Sequence, residues 1–395
     1  MSPSPIPFSD LISEQTRAEI FATVLTAGPL SRTQLAQRLG LVPSSVTRML
    51  PPLLEHDYLR ETDAAPQGRG RPQKLLHVNP DKHVVVGMKI GPAQVSGVVT
   101  DMAANVLARD ERPIDDPGPE TALSAAAALA SGLLDQAPQA AADRVLGVGV
   151  GVSGHVDSAA GVCRYSALLG WTKVDVAGPL SEATGLMVTV NNDVNTLVVA
   201  ERWFGQGRDV DSFAVVTVGP GIGCGLLLGG SLYGGASGMA GELGHLPLDP
   251  YGPMCSCGRR GCLEALAGDR TVLRHLHDAG ITGVTTITEA IALARGEHSA
   301  TRTVVRAAFA EAGTALGRGL AGLCNLLNLQ KIIIAGEGAV AHDLFGPAMT
   351  RSLEAHAFSD AARDCEIHID PVTHDLWARG AACLVIREAV GSALS

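Results

Sequence analysis

The N-terminal part of the chain has apolar residues at the spacing of short helices. Between Ser9 and Leu25 they recur at helical intervals, which predicts a first helix. Ser31 is a good N-cap for a second short helix, which Gly40 closes, and Pro43-Ser44-Ser45 opens a third. We expect Pro51-Pro52 to stop or kink this third helix after about two turns. Two short helices joined by a tight glycine turn predict a helix-turn-helix.

The second helix of such a pair lies in the major groove of DNA, where its first polar side chains meet base edges or phosphates. The candidates for this role are Ser44, Ser45, Thr47 and Arg48. The sequence therefore predicts a DNA-binding head at the N-terminus.

A two-stranded wing is predicted after these helices. Tyr58-Leu59-Arg60 and Lys74 to Val78 have the pattern of its strands, and the tip between them carries Arg69 and Arg71. Arginine inserted in a narrow minor groove is a known readout device. The alternative is a solvated, flexible linker that happens to be basic. We favour the DNA-binding wing because the segment follows a helix-turn-helix.

Beyond Lys82 the pattern changes to short apolar strands, which occur in two similar sets. The first set comprises His83 to Lys89, Gln94 to Asp101, Asn105 to Arg112, a helix from Glu120 to Gln136, and Val145 to Val152. The second comprises Phe213 to Val218, Ile222 to Gly229, later helices, and Lys331 to Ala335. The motif G-P-x-x-x-x-G begins at Gly91 and again at Gly219. We therefore predict a duplicated α/β domain of two lobes, with ligand sites in a cleft where loops at strand ends converge.

Composition indicates a globular chain, and the charge limits where nucleic acid could bind. Of 395 residues, 46% are hydrophobic and 18% charged, which suits two or three domains. The net charge is −10, yet residues 1–80 carry 8 basic against 7 acidic side chains, so affinity for nucleic acid must come from that part. The uncharged stretch from Ser212 to Gly241 holds ten glycines and would make a poor membrane helix. We see no secretion signal and expect a cytoplasmic protein with no membrane partner.

Polar side chains follow the predicted strand Met187 to Asn191, in the run Asn192-Asp193-Val194-Asn195. Carboxamide and carboxylate groups at a strand end suit a polyhydroxylated ligand, since they can meet its hydroxyl groups as donors or acceptors. The alternative is an Asx-rich turn that caps a helix beginning at Thr196. The residues alone leave both interpretations open.

Three cysteines crowd into a polar loop rich in glycine and arginine, after an isolated histidine. The candidate metal ligands are His245, Cys255, Cys257 and Cys262. This donor set suits a tetrahedral Zn²⁺ site, whereas ordinary buried thiols would have to meet by chance in a loop with little core. Four protein ligands leave no open position for water, so we predict a structural zinc that positions Glu242 and Glu264.

These motifs resemble the ROK family of repressors, open reading frames and sugar kinases. The resemblance rests on E-x-G-H from Glu242, C-x-C-G-x-x-G-C-x-E from Cys255, the Asn-Asp-x-Asn run, and Leu169-Gly170-Trp171, and it covers most of the chain. A winged helix-turn-helix ahead of this domain is similar to the xylose and N-acetylglucosamine repressor branch. The resemblance implies a DNA-binding domain over residues 1–80 and a two-lobed actin-like (ribonuclease H-like) ATPase fold over 81–395. Its lobe boundary would lie near residue 197, with a C-terminal helix returning to the first lobe.

The resemblance also implies roles for individual residues. The side chains that match the family's sugar ligands are Asn192, Asp193, Glu242, His245 and Glu264, and the match to Asp193 is the catalytic base in kinase members. The four zinc ligands match as well. If so, His245 serves the metal through one ring nitrogen and can offer the other to a sugar hydroxyl.

Three departures from the family affect the handling of ATP. Lys89 stands where kinases have an acid that helps to hold magnesium, Pro220 interrupts the second phosphate hairpin, and Glu337 puts a carboxylate where glycines approach the nucleotide. Phosphoryl transfer depends on metal-assisted charge neutralisation, so we predict no kinase activity.

We therefore predict a transcriptional regulator, a repressor of carbohydrate metabolism genes. It would bind operator DNA as a homodimer or homotetramer under the control of a sugar or sugar derivative. The alternative is an ATP-dependent sugar kinase that uses Asp193 as its base.

Overall fold

The computed structural model describes Ile12 and residues 14–63, 73–137, 144–370 and 375–390. It divides into two compact units, Met1–Asp209 with Asp375–Ser395, and Val210–His374. Within the described ranges, no helix is both long and apolar enough to cross a membrane.

The first unit begins with a head of three helices and a small sheet. Its elements are α1 (Gln15–Ala27), β1 (Leu30–Ser31), α2 (Arg32–Arg38), α3 (Pro43–Glu55), β2 (Leu59–Asp63) and β3 (Lys74–Val78). Strand β3 pairs antiparallel with both β1 and β2, so the two predicted wing strands are present. The wing tip, with Arg69 and Arg71, lies outside the described residues.

Local sequence signals explain where these helices begin and end. The helix predicted between Ser9 and Leu25 is α1, which begins after its N-cap Glu14; residues 9–11 lie outside the described part of the chain. Ser31 caps α2 as predicted, because its hydroxyl accepts the backbone N–H of Gln34 while the Gln34 side chain accepts the N–H of Ser31.

The prediction that Pro51-Pro52 stops the third helix after about two turns is wrong, whereas a kink at these prolines stays a prediction. Helix α3 continues for 13 residues, through both prolines to Glu55. Leu50 and Leu53, on either side of the prolines, are completely buried. Their packing offsets the hydrogen bonds that proline cannot donate, a cost of about 3 kcal/mol in a helix interior.

The rest of the first unit contains the following elements before the chain enters the second unit. They are β4 (Val84–Ile90), β5 (Gln94–Asp101), β6 (Val106–Pro113), α4 (Pro119–Gln136), β7 (Val145–Val152), β8 (His155–Asp157), β9 (Val162–Ser166), β10 (Trp171–Asp175), α5 (Ala177–Thr184), β11 (Val188–Asn192) and α6 (Asp193–Phe204). The second unit consists of β12 (Phe213–Val218), β13 (Ile222–Leu228), β14 (Ser231–Leu232), α7 (Leu263–Ala267), α8 (Asp269–Asp278), α9 (Ile287–Arg295), α10 (Ala300–Leu327), β15 (Lys331–Ala335), α11 (His342–His356) and β16 (Glu366–Ile369). Helix α12 (Leu376–Val390) belongs to the first unit again.

Both units are built on a five-stranded sheet with the same strand order. The order is β6-β5-β4-β7-β11 in the first unit and β14-β13-β12-β15-β16 in the second. In each sheet the first three strands are antiparallel neighbours, and the fourth and fifth extend it in parallel. Gly91 and Gly219 occupy equivalent turns between the first and second strands. The repeated order confirms the predicted duplication of an α/β fold.

Helix α12 lies directly on strands β4 and β7, and glycines make this approach possible. A Cβ atom at Gly87 would collide with the carbonyl oxygen of Ala378, and one at Gly149 with that of Ala381. The other face of β4 packs its even-numbered residues against the alanines and leucines of α4. The sheet is therefore enclosed between two helices.

We predict that Gly149→Ala lowers the free energy of unfolding by about 1–3 kcal/mol, because α12 must move away from the sheet to admit the methyl group. Urea unfolding followed by circular dichroism measures the effect. The matched control is Gly132→Ala in α4, where the nearest atom is 3.8 Å from the added carbon. That change should be neutral or slightly stabilising, and equal midpoints for the two variants would contradict the packing argument.

Candidate functional site

A lysine and an aspartate meet at the edge where three parallel strands of the first unit end. The register sets Lys89 of β4 opposite Gly151 of β7, and Gly151 opposite Asn191 of β11. Because Gly151 has no side chain, Lys89 reaches across it to Asp193, with 3.1 Å between Nζ and Oδ2. The same ammonium group lies 3.4 Å from the centroid of the Trp377 ring.

This ion pair is largely shielded from water. The side chain of Asp193 is 8% exposed and that of Lys89 is 18% exposed. The second carboxylate oxygen, Oδ1, accepts the backbone N–H of Val194 at 3.0 Å. Both oxygens of Asp193 are therefore engaged, one of them by a cation that also rests on an aromatic face.

Asn192, the last residue of β11, is the N-cap of helix α6. Its Oδ1 accepts the backbone N–H groups of Val194 and Asn195, and its Nδ2 donates to the carbonyl of Gly154 at 2.9 Å. The capping interpretation thus describes this side chain, but the expected helix start at Thr196 is wrong. The helix begins at Asp193 because Asn192 both ends the strand and caps the helix.

The predicted metal ligands in the second unit converge. One ligand atom from each of His245, Cys255, Cys257 and Cys262 lies within 4.8 Å of the others. The Sγ atoms of Cys257 and Cys262 are 3.7 Å apart, and Sγ of Cys255 is 3.6 Å from Nδ1 of His245. A tetrahedral zinc with bonds of about 2.3 Å to sulfur and 2.0–2.1 Å to nitrogen needs edges of about 3.8 and 3.6 Å. These two distances match edges of such a tetrahedron, and the cluster could hold a metal ion.

The loop chemistry agrees with a cluster built for a cation. Gly258 and Gly261 adopt positive φ, which lets the chain turn tightly between Cys257 and Cys262. Burial, followed by the hydrogen bonds of Cys257 and Cys255, raises the pKa of Cys262 to about 12. A metal ligand must be a thiolate, and a bound cation would stabilise that form.

Two predicted sugar ligands, Glu264 and Glu242, lie next to this cluster and contact different parts of it. Glu264 connects the cysteine loop to the hairpin between β12 and β13, because Oε1 accepts the Ser256 hydroxyl at 2.9 Å and Oε2 accepts the N–H of Ile222 at 3.4 Å. Glu242 is half-exposed, with Oε2 4.0 Å from Nε2 of His245. His245 thus turns Nδ1 toward the cysteines and Nε2 toward Glu242.

Two acidic residues lie at the hairpin between β12 and β13. The backbone N–H of Asp269 donates to the carbonyl of Gly219 at 3.0 Å, and a Cβ at Gly219 would be 3.2 Å from Oε2 of Glu337. Burial, with the charge of Glu337 adding to it, raises the pKa of Asp269 to about 6. Glu337 was marked by its departure from the family pattern, but no motif marks Asp269.

The candidate DNA-contacting residues occupy the first two turns of α3. Ser44, Thr47 and Arg48 are exposed and share one helix face, whereas Ser45 is half-buried. The hydroxyl of Thr47 donates to the carbonyl of Pro43 at 3.0 Å.

The sequence does not indicate the role of Trp377. No motif marks this residue, since only folding brings the C-terminal helix to Lys89.

Two family models match the chain. The ROK family model matches residues 85–388, and the IclR helix-turn-helix domain model matches residues 19–63. The second match covers the region where the sequence predicts a DNA-binding head.

Similar curated proteins include named repressors. The putative xylose repressor of Caldicellulosiruptor sp. (strain Rt8B.4) is 26% identical over an alignment of 389 positions, and the match covers 96% of this chain and 97% of the relative. The DNA-binding transcriptional dual regulator NagC of Escherichia coli (strain K12) is 26% identical over an alignment of 357 positions, and the match covers 88% of this chain and 86% of the relative.

Solved structures of both a regulator and a kinase share the fold. A ROK family transcriptional regulator, a homologue of the E. coli MLC protein, has a TM-score of 0.81 at 24% identity, covering 97% of this chain and 98% of its own. A ROK family glucokinase from Streptomyces griseus, in complex with glucose and AMPPNP, has a TM-score of 0.65 at 26% identity, covering 76% of this chain and 98% of its own. These matches confirm the predicted fold class, a helix-turn-helix head followed by an actin-like α/β domain.

We predict that Lys89 and Asp193 are energetically coupled. Lys89→Met should lower the free energy of unfolding by about 3 kcal/mol, because it leaves a buried carboxylate without its cation. The double variant Lys89→Met/Asp193→Asn should lose less than the sum of the two single variants, by about 1 kcal/mol or more. Urea unfolding of all four proteins completes the cycle.

The exposed pair Arg363–Asp360 provides the control cycle, with Arg363→Met and Asp360→Asn. Its coupling should stay below about 0.5 kcal/mol. Strictly additive effects at Lys89 and Asp193 would mean that their contact is not a stabilising ion pair.

Proposed function

The chain belongs to the ROK family, and from this premise we propose that it is a DNA-binding transcriptional repressor whose affinity for operator DNA is set by a bound sugar. Two features support the proposal: a helix-turn-helix head with an exposed polar face, and a ROK domain that retains the family's sugar residues. The putative xylose repressor and the dual regulator NagC each match this chain over most of their own length.

The contact between Lys89 and Asp193 is the main observation that favours a regulator over a kinase. In kinase members the residue matching Asp193 removes a proton from the sugar hydroxyl. Here both of its oxygens are occupied, one by the ammonium group of Lys89, which Trp377 covers. The position that would help to hold magnesium now carries a positive charge, which repels a metal ion.

The acidic side chains in the second unit support the same choice. Asp269 and Glu337 lie beside the hairpin that would approach the phosphates of a nucleotide. Carboxylates there repel phosphate oxygens, and Pro220 lacks a backbone N–H to donate to them. The hairpin is therefore poorly suited to ATP.

We assign sugar binding to five side chains. They are the residues that match the family's sugar ligands, namely Asn192, Asp193, Glu242, His245 and Glu264. Operator contacts are assigned to Ser44, Ser45, Thr47 and Arg48, together with Arg69 and Arg71 of the wing. A homodimer or homotetramer would place two heads on two half-sites of an operator and so add their individual contacts.

We also propose that His245, Cys255, Cys257 and Cys262 hold a structural zinc ion. Two of the distances between ligand atoms match edges of a zinc tetrahedron, and four protein ligands leave no position for a reacting water. Zinc would fix the cysteine loop and, through Ser256, the carboxylate of Glu264.

The purified chain should bind a duplex that it selects from random DNA, and one sugar should change its Kd about fivefold or more, as expected for typical coupling between two sites. Fluorescence anisotropy with hexoses, pentoses, amino sugars and their phosphates measures this change. Arg48→Ala should weaken binding and reduce the salt dependence by about one phosphate contact. Arg363→Ala, an exposed arginine in the second unit, is the matched control.

The kinase alternative makes a different prediction for the same preparation. The protein would be a kinase if a sugar caused ADP release that Asp193→Asn abolishes, while no sugar changed the affinity for operator DNA. Those two results together would overturn the assignment as a regulator.

Cys257→Ala should release about one equivalent of zinc, measured by mass spectrometry of the metal content, because it removes one of four ligands. The melting temperature should fall, since structural zinc contributes on the order of 10 kcal/mol to local folding. Cys163→Ala, which removes a buried thiol of β9 outside the cluster, should retain the metal. Full metal content in the Cys257 variant would refute the assignment.

A further inference from the structure

The DNA-binding head is joined to the rest of the first unit by a short, hydrogen-bonded junction. The backbone N–H of Asn79 donates to the carbonyl of Tyr58, and its side chain donates to the carbonyl of Asp57, at 2.9 and 3.0 Å. On the other side, the N–H of Met102 in the large domain donates to the carbonyl of Pro80 at 3.2 Å. A shift of the large domain at this junction must therefore move the end of α3.

Tyr58 and His83 form the side-chain contact across this junction. The Tyr58 hydroxyl is 2.8 Å from Nε2 of His83, the two rings are stacked, and Nδ1 of His83 is 2.9 Å from the carbonyl oxygen of Arg144. Tyr58 is only 3% exposed and its ring also meets Phe21 of α1 edge-on. One buried residue thus contacts the head's core and the start of the large sheet.

The protonation states of His83 and Tyr58 determine which of them donates the hydrogen bond. Burial lowers the pKa of His83, and the positive charges of Lys82 and Arg144 act the same way against the opposing effect of the hydrogen bond to the Arg144 carbonyl. The imidazole is therefore neutral, with Nδ1–H as donor to that carbonyl and Nε2 as acceptor. Burial raises the pKa of Tyr58 to about 12, so its hydroxyl remains protonated and donates to Nε2.

Strand β4 connects this contact to the Lys89–Asp193 pair. His83 immediately precedes the strand in extended conformation, and Lys89 is six positions later on the same face, about 20 Å away. Helix α12, which carries Trp377, lies along that face, and α1 of the head contacts both α12 and α6, the helix that begins at Asp193. The strand and both helices thus extend from the ion pair to the head.

We infer that β4 transmits sugar binding to the DNA-binding head, and that Tyr58 is the positioning residue that converts a displacement of the strand into a displacement of α3. The inference rests on the proposed function, since it assumes that a sugar binds near Asp193. A sugar that competes with Lys89 for Asp193 moves one end of β4. Strand β5 pairs with β4 continuously from Val84 to Ile90, whereas the pairing with β7 shifts register between Val84 and Val86. The displacement passes along the paired strand to His83 and, through the hydroxyl of Tyr58, to the end of the operator-reading helix.

The test compares Tyr58→Phe with the wild-type full chain. This variant keeps the ring and its packing but removes the hydrogen bond to His83. The probes are a fluorescein-labelled duplex selected by the wild-type chain, with D-xylose, D-glucose and N-acetylglucosamine. For each protein we measure the ratio of operator Kd with and without sugar, the sugar affinity of the DNA-free protein by calorimetry, and the melting temperature.

We expect Tyr58→Phe to reduce the sugar-dependent ratio about threefold or more, the effect of losing one buried hydrogen bond. Sugar affinity of the DNA-free protein should stay within about twofold of wild type. His83→Phe, which removes both hydrogen bonds of the imidazole, should reduce the ratio at least as far. Tyr165→Phe, at an exposed tyrosine of β9, is the matched control and should leave the ratio unchanged.

The outcomes distinguish failure of the proposed sugar response from failure of its transmission through β4 and Tyr58. A wild-type ratio of one with all three sugars would overturn both the sugar response and its transmission. A wild-type response that both Tyr58→Phe and His83→Phe preserve in full would overturn only the assignment of β4 and Tyr58. The assignment would also be overturned if Tyr58→Phe lowered the sugar-dependent ratio of operator Kd and the sugar affinity of the DNA-free protein to the same extent. Tyr58 would then act on sugar binding and not on transmission.

Discussion

The close contact of α12 with β4 and β7 is the constraint on which the first unit depends. The helix backbone rests on Gly87 and Gly149, where no side chain could fit. This contact fixes the position of Trp377 near the start of the helix, and Trp377 in turn covers Lys89. The residues of the ion pair are thus held by backbone packing and not by flexible side chains alone, so Lys89 and Asp193 meet in a defined geometry.

Much of the fold follows from the sequence because it depends on local patterns. Buried strands such as Val145–Val152 are continuous apolar runs, and the repeated G-P motif reveals the duplication. The errors occur where one residue serves two purposes or where packing opposes local preference. Asn192 ends a strand and caps a helix, and Leu50 and Leu53 bury enough surface to keep a helix intact through Pro51-Pro52.

The candidate site was predictable only in part, for a related physical reason. Metal ligands within one loop are close in sequence, so their spacing alone indicates a cluster. The partners of Lys89 are not: Asp193 and Trp377 come from distant helices, and their contact depends on the register of three strands and on Gly151 between them. The contact of Tyr58 with His83 likewise joins two elements that no motif connects.

In the function that we propose, one change of charge separates a regulator from a kinase on this fold. A kinase must use binding energy to stabilise a transition state, and so needs a free carboxylate at the sugar and an acid that holds the metal. In this proposal Lys89 stands in place of the acid that holds the metal, and it pairs with the carboxylate of Asp193. The binding energy of a sugar at that carboxylate is then available for displacing an ion pair at the end of β4. A displacement favoured by a few kcal/mol is enough to shift a two-state equilibrium substantially. Under this proposal, the residue that opposes catalysis also provides the element that a sugar can move.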